Sequence, residues 1–530
     1  MKIIVVSVVL PKRRLITFGG RSMETEADDV SPPAAGVVTC LEPHPSAEVQ
    51  RHLRERCLAL AGHAGSERDV RISCAPYRCS PVGAHIDHQG GTVAGFALNM
   101  GVCIAYMPSP DDRRGEIQLT SKGEASSFEM QMTDESKPAD DWTAFVRGAV
   151  HVVREWAAEK GVRCDRGFTG VVSGCPEGLE GGGISSSAAL TVALINAIRD
   201  TNQLASTTTG SVTMRRTDIV RLARRVEHEW RGVKCGILDQ GCVVMSKPGA
   251  LTVLDCAWYQ QRFDADDPMT TSSRDVLLHG TPSAQNPLRW FGGDWTPSRD
   301  GRARIDPIVD ESGVEVSKDF WDDGPDAGSD LPFGVVLAFS GIRNALVNTG
   351  YNDRVGECQR AASLLLDASG RGVGPEDATP TLSMVTEEEW AAHGDKLPGD
   401  LARRAKHFFD ENRRAKDAVR MWRDGDVKSF GALMNASGAS SVKNYECGCE
   451  PITTLWNIVK ATEGVFGARF SGAGFRGCVV ALCEPGRAAM DAAERIAGEY
   501  ARVYPELAGD APVIVTRPGR GAFILRGEDR

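Results

Sequence analysis

EGGGISSSAALTVALINAIRD, residues 180 to 200, opens on three glycines, passes through three serines and runs on as an apolar stretch of helical character. Gly181, Gly182 and Gly183 let the backbone turn close to a ligand. Ile184, Ser185, Ser186 and Ser187 then stand where the free N–H groups and the dipole of a helix N-terminus form an anion site. Hydroxyls in that position hydrogen-bond phosphate or coordinate Mg²⁺. A flexible loop that ends in a serine N-cap is the plainer alternative. No GxxxxGK[ST] occurs in the chain, so a Walker loop is excluded.

Downstream, VEHEWRGVKCGILDQG (226–241) ends a helix at Glu227 and reaches Asp239 across a glycine-punctuated loop. Two carboxylates so spaced suit a Mg²⁺ ligand and a general base, or else a surface glutamate and a capping aspartate. Upstream, PVGAHIDHQGG (81–91) sets His85, Asp87 and His88 between glycines. A zinc site would need partners that Cys74, Cys79 and Cys103 do not offer at the usual spacings. Hydroxyl recognition by His85 and Asp87 fits better, with a satisfied loop histidine as the alternative. Near the C-terminus GAGFRG (472–477) matches GxGxxG, but the apolar strand CVVALC follows where a dinucleotide fold needs a helix. The Rossmann reading is rejected, and Gly474 is left in a close turn.

The bulk numbers agree with an ordinary globular protein. The chain has 530 residues, 42% hydrophobic and 25% charged, with a formal net charge of −10. That balance gives no support for a nucleic-acid partner, and the basic residues are too scattered for a membrane patch. Fifteen cysteines without a CxxC pair are expected to be reduced and mostly buried. The apolar run Ile3–Leu10 is far shorter than the roughly 20 residues of a membrane span and lacks the flanks of a signal peptide. A cytoplasmic protein, monomer or weak homodimer, is expected.

Along the chain, METEADDVSPPAAG (23–36) is acidic and Pro-rich, and residues 1–45 are expected to be disordered or to precede the true start, with Met23 as an alternative. VRISCAPYRCS, VAGFALNMGVCIAYMP and GFTGVVSG predict strands, and WTAFVRGAVHVVREWAAEKG and RRTDIVRLARRVEHEWRG predict helices. Residues 260–332 lose periodicity and are expected to be a partly disordered insertion. FGVVLAFSG and CVVALCEP predict strands of a second domain, GARFSGAGFRG a loop between elements. Two long helical stretches and AAMDAAERIAGEYARV complete it. The irregular interleaving favours a two-domain α+β protein.

Taken in order, these stretches resemble the GHMP small-molecule kinases, and within them the galactokinase branch. The branch's first motif, PGRVNLIGEHxDY, appears as PYRCSPVGAHIDH (76–88). The glycine–serine loop stands for the second motif. GARFSGAGFRGC is similar to the third, with Arg476 in place of a glycine. EHEWRGVKCGILDQ, GYNDRVGEC, FGALMNASGAS and NYEC also resemble galactokinase segments. The resemblance covers about Cys74 to beyond Cys478, apart from the insertion, and in wording it lies nearest to plant-type galacturonokinases.

The resemblance implies a two-domain GHMP fold. Residues 46–259 would form a ribosomal-protein-S5-domain-2-like N-terminal domain and 333–525 a ferredoxin-like C-terminal one. It implies ATP and Mg²⁺ as cofactors and phosphorylation of D-galacturonate at its anomeric hydroxyl. Asp239 would be the base, and Arg78 would stabilise charge on the transferring group. Gly181 to Ser187, with Gly474, would cradle ATP, while Ser187 and Glu227 would hold Mg²⁺. His85, Asp87 and Tyr351 would contact sugar hydroxyls.

Ala84 occupies the place of a galactokinase glutamate that helps bind the sugar's hydroxyls, including the one on C6. Two negative charges about 4 Å apart at an effective dielectric near 20 repel by roughly 4 kcal/mol, about a thousandfold in binding. Alanine would therefore admit a C6 carboxylate. Arg476 would either pair with that carboxylate or hold its own loop. The alternatives are a kinase for galactose, glucuronate or arabinose, or a non-catalytic sugar sensor on the same scaffold.

Overall fold

The computed structural model describes residues 36–62, 65–121, 127–134, 141–204, 213–257, 288–292, 331–342, 350–372, 379–475 and 477–526. The first strand is β1 (Val37–Cys40), followed by α1 (Ala47–Leu60). Then come β2 (Arg71–Val82), β3 (Thr92–Pro108), β4 (Glu116–Ser121), β5 (Ser127–Gln131), α2 (Thr143–Glu159) and β6 (Phe168–Cys175). Helices α3 (Ser186–Thr201), α4 (Arg216–Arg225) and α5 (Leu238–Met245) follow, then β7 (Ala250–Asp255) and β8 (Leu288–Gly292). The C-terminal lobe holds β9 (Gly334–Phe339), α6 (Tyr351–Ala368), α7 (Glu387–His393), α8 (Gly399–Arg423), α9 (Val427–Ser440) and α10 (Glu450–Ala461). It ends with β10 (Val465–Phe470), β11 (Cys478–Cys483), α11 (Arg487–Val503), β12 (Val513–Thr516) and β13 (Phe523–Leu525).

The N-terminal lobe is an eight-stranded mixed sheet in the order β13-β2-β3-β6-β4-β5, with β7 on β3 and β8 on β7. The 17-residue β3 serves two partners: Gly101–Pro108 pairs with β6 and Thr92–Gly95 with β7. Alternation alone cannot make one strand so long; it is apolar nearly throughout because both faces are buried, Ile104 and Tyr106 in one apolar cluster and Cys103 and Ala105 in another that includes Leu53 and Cys57 of α1. Helix α3 lies against β2 and β3, where the Ser73 hydroxyl donates to Ala193 O at 2.9 Å. Almost all its residues from Ala188 onward are buried, as a helix apolar all round must be.

The C-terminal sheet has the order β1-β12-β9-β11-β10. Strand β1 comes from the stretch expected to be unstructured, and it pairs parallel with β12. Strand β13, the last of the chain, returns to the N-terminal sheet beside β2. Each lobe's sheet is thus completed by a strand from the opposite end of the chain, and one buried apolar cluster runs through both lobes.

One further expectation changes. Gly467–Phe470, assigned to a loop, belongs to β10, and only Ser471–Gly477 links it to β11. Most of the 260–332 insertion lies outside the described residues, but Leu288–Gly292 forms a strand on β7. All fifteen cysteines are free thiols and most are buried. Among the described residues no helix is long and apolar enough to cross a membrane.

Candidate functional site

Asp239 stands in the first turn of α5, in direct contact with Arg78 on β2. Arg78 is almost fully buried and donates from Nε (2.9 Å) and Nη2 (2.7 Å) to Asp239 Oδ1. Its Nη1 donates to Gly183 O at 3.1 Å. The other Asp239 oxygen, Oδ2, accepts from the Ser185 hydroxyl. The Arg78 guanidinium and the helix-opening serine therefore meet at one carboxylate.

Ser185 explains how the loop is built. It is the N-cap of α3, yet its backbone is left-handed (φ 59°, ψ 45°) and its side chain caps nothing in the helix. The plain N-cap alternative fails, because the hydroxyl is used on Asp239 instead. Ser186 Oγ accepts from Gly181 N at 3.2 Å, outside the helix. The first N–H groups of α3 thus lack a side-chain cap and are directed at the loop, the arrangement that receives an anion.

The glycine loop is pressed against the third-motif loop. A Cβ on Gly183, whose φ is +78°, would lie 2.7 Å from Ser471 O. Ile184, fully buried, accepts from the Arg78 amide at 3.1 Å. Gly474 sits nearby, its Cα facing Cys447. Both loops thus form one wall with backbone in contact with backbone.

Glu227 lies where α4 widens into a π-turn, Val226–Trp230, the kind of distortion found at functional sites. It is buried, which rules out a surface glutamate, and it accepts a hydrogen bond from Ser187. Burial pushes its carboxyl up to about 7, against the lowering effect of Ser187; Asp239 adds to the rise. A buried carboxylate whose charge Ser187 and Arg231 only partly offset, beside the glycine–serine loop, fits a hard cation such as Mg²⁺. Among the described residues no group of three or more His, Cys, Asp or Glu side chains is arranged to hold a metal. Such a cation would therefore lean on phosphate and water oxygens.

The segment from Gly83 to Ile86 folds as a tight turn between β2 and a short 3₁₀ turn, Asp87–Gln89. Asp87 Oδ2 accepts from Leu238 N at 3.3 Å, next to Asp239. Burial, then the nearby Asp239 charge, pushes Asp87 up to about 6. Gly236 is required there, since a Cβ would come within 2.3 Å of Asp87 Oδ2. His85 stacks on Tyr445 with ring centroids 4.3 Å apart, and Tyr351 meets His88 edge-on at 6.0 Å. Gln89 Nε2 donates to His88 Nδ1 (3.0 Å), which leaves His88 Nε2 as the donor to Tyr445 Oη at 3.1 Å. Burial keeps both His85 and His88 well below the usual imidazole range, hence neutral.

Ala84 is buried, and its peptide is held from both sides by the C-terminal lobe. Glu411 Oε1 accepts from Gly83 N (2.8 Å) and Ala84 N (3.3 Å), and His407 Nε2 donates to Ala84 O at 3.0 Å. The neighbourhood is therefore not free of acid, but Arg414 Nε donates to Glu411 Oε2 at 2.7 Å. Burial acts to raise the Glu411 carboxyl; Arg414, His407 and Arg469 outweigh it and hold the group below its ordinary value.

The structure thus brings together Arg78, Asp239, Ser185, Ser187, Glu227, the glycine loop, Asp87, His85 and Tyr351. Arg476 lies outside the described residues. Sequence reasoning named His88 without giving it a role, and it missed Tyr445, His407, Glu411 and Arg469. For two of these a signal existed. Arg404, His407 and Glu411 recur at spacings of three and four along α8 and are essentially unexposed, a polar stripe on the helix's inward face. Tyr445 ends a second π-turn, Ser441–Tyr445, which no periodicity announces.

The chain matches the model of the GHMP kinases N terminal domain over residues 144–247 and that of the GHMP kinases C terminal domain over residues 415–502. It is 34% identical over 492 residues to the galacturonokinase of Arabidopsis thaliana, covering 88% of this chain and 96% of that protein. To a galactokinase of Roseiflexus sp. it is 27% identical over 470 residues, covering 88% and 95%. The Lactococcus lactis galactokinase solved with galactose has the same fold, with a TM-score of 0.64 at 23% identity, covering 90% of this chain and 99% of that one.

Proposed function

The chain belongs to the GHMP kinase family and is a sugar kinase, and on that premise we propose that it transfers the γ-phosphate of ATP to the anomeric hydroxyl of D-galacturonate. The products are galacturonate 1-phosphate and ADP. The observation that carries the choice of sugar is Ala84, a methyl group on the same turn as His85 and Asp87. The relative named galacturonokinase supports it.

In this reading Asp239 accepts the proton of the anomeric hydroxyl as its oxygen attacks in line. Arg78, within 2.7 Å of the Asp239 carboxylate, carries the positive charge that faces the transferring group. Backbone amides from Gly181 to Ser187 and the uncapped start of α3 hold the phosphates. Mg²⁺, when bound, neutralises phosphate charge, and Ser187 and Glu227 are the residues that would hold it. His85, Asp87 and Tyr351 orient the sugar, and the Ser471–Gly477 loop with Gly474 closes the wall.

The test is ADP release with Mg-ATP and equal concentrations of galacturonate, glucuronate, galactose and arabinose. A strong preference for galacturonate is expected. Preference for galactose would keep the kinase and refute the role of Ala84. Silence on every sugar with ATP still bound would favour a sensor.

A further inference from the structure

Gly83 and His85 both have left-handed backbones, at φ +81° and +61°, and between them stands Ala84. For histidine that conformation is uncommon and persists only where the surroundings over-determine it. The over-determination comes from more than 320 residues away. Glu411 and His407 lie one turn apart on α8, at 0% and 1% exposure. Glu411 takes the two successive amides of Gly83 and Ala84, and His407 takes the Ala84 carbonyl.

Neither side chain is free to do otherwise. Ser437 Oγ donates to Glu411 Oε1 at 2.5 Å while Arg414 holds Oε2. His407 must donate from Nε2, since a carbonyl only accepts, and so Nδ1 accepts from Ser440 Oγ at 2.9 Å. Burial lowers the His407 imidazole below its ordinary value, so this neutral tautomer is the one present at neutral pH. Helix α9, which carries Ser437 and Ser440, therefore locks the α8 pair, and the pair locks the turn.

We propose that Glu411 and His407 are positioning residues for sugar binding: by clamping the Ala84 peptide they fix the left-handed turn that presents His85 to the substrate. The inference rests on the sugar-kinase reading and is indifferent to which sugar is the natural one. The clamp touches neither the glycine loop nor the Asp239–Arg78 pair. Its loss should therefore appear in sugar recognition and leave nucleotide recognition alone.

The test compares His407→Gln with His407→Asn, both polar, neutral and close in size. A glutamine amide nitrogen reaches the place of Nε2, whereas an asparagine amide stops at the place of Nδ1. Both variants are assayed on the sugar that the wild type phosphorylates fastest, so a wrong choice of galacturonate leaves the comparison intact. His407→Gln should keep the sugar KM within about threefold of wild type, and His407→Asn should raise it about tenfold or more, the size of one lost buried hydrogen bond. The ATP KM should stay within about twofold in both. Equal sugar KM values for the two His407 variants, or sugar and ATP KM values that rise in parallel with a fall in Tm, would overturn the proposal.

Discussion

Arg78 directs both Nε and Nη2 at a single oxygen of Asp239, Oδ1, and leaves Oδ2 to the hydroxyl of Ser185. The carboxylate is thus held on both sides but remains partly open, with 31% of its side chain exposed. That opening is where an incoming hydroxyl can reach it.

Asp239→Asn keeps the shape and removes the proposed base. Turnover should fall by about a thousandfold or more, within the range lost with a general base. ATP affinity, followed by nucleotide titration of the variant, should stay near wild type. Substantial remaining turnover would mean that another group takes the proton.

Ala84→Glu restores an acid at the sugar turn. For galacturonate kcat/KM should fall by about a thousandfold, from the charge repulsion of roughly 4 kcal/mol. Galactose, which lacks the carboxylate, should lose far less. Parallel kinetics on the two sugars check this, and equal losses would show that Ala84 is needed only for space.

Glu227 offers a pH test with a sign that can be worked out. Its carboxyl is pushed up to about 7 by burial, above its value in an unfolded chain. Its contribution to stability is therefore fully present below the unfolded value and is lost as pH rises through 7. Glu227→Gln should raise Tm at pH 8, by up to the order of 3 kcal/mol in free energy, with the gain largely gone at pH 5. The same variant should lose most Mg²⁺-dependent turnover. In the wild type, apparent Mg²⁺ affinity should fall as pH drops below about 7, because protonation competes with the cation.

Gly183→Ala would place a methyl against the carbonyl of Ser471 at a left-handed φ. The glycine loop and the third-motif loop must then part. A cost of about 1–3 kcal/mol is expected, visible as a lower Tm and a raised ATP KM, with the sugar KM less affected.

How much of this was legible before folding differs by element. The apolar character of β2, β3 and α3 and the periodicity of α2 and α11 are local properties, and the chain states them directly. Motif residues such as Asp239, Arg78 and Glu227 could be named because their types suit the chemistry at any distance. Glu411 and His407 could not be placed, because hydrogen bonds across more than 320 positions leave no local trace. The π-turn at Ser441–Tyr445 is equally silent, since one added residue in a helical turn barely alters apolar spacing. Strands β1 and β13, with four and three residues, are too short for alternation to show.

Those two short strands bear on when the molecule can finish folding. Val37–Cys40 pairs with Val513–Thr516, and Phe523–Leu525 pairs with Ile72–Cys74. During synthesis the first of these segments leaves the ribosome hundreds of residues before its partner, and the edge of β2 stays open until the last stretch emerges. Such long loop closures come late and slowly. The N-terminal lobe therefore cannot complete as a unit before Phe523–Leu525 are made, nor the C-terminal sheet before Val513–Thr516, so both lobes reach their final form at nearly the same point of synthesis.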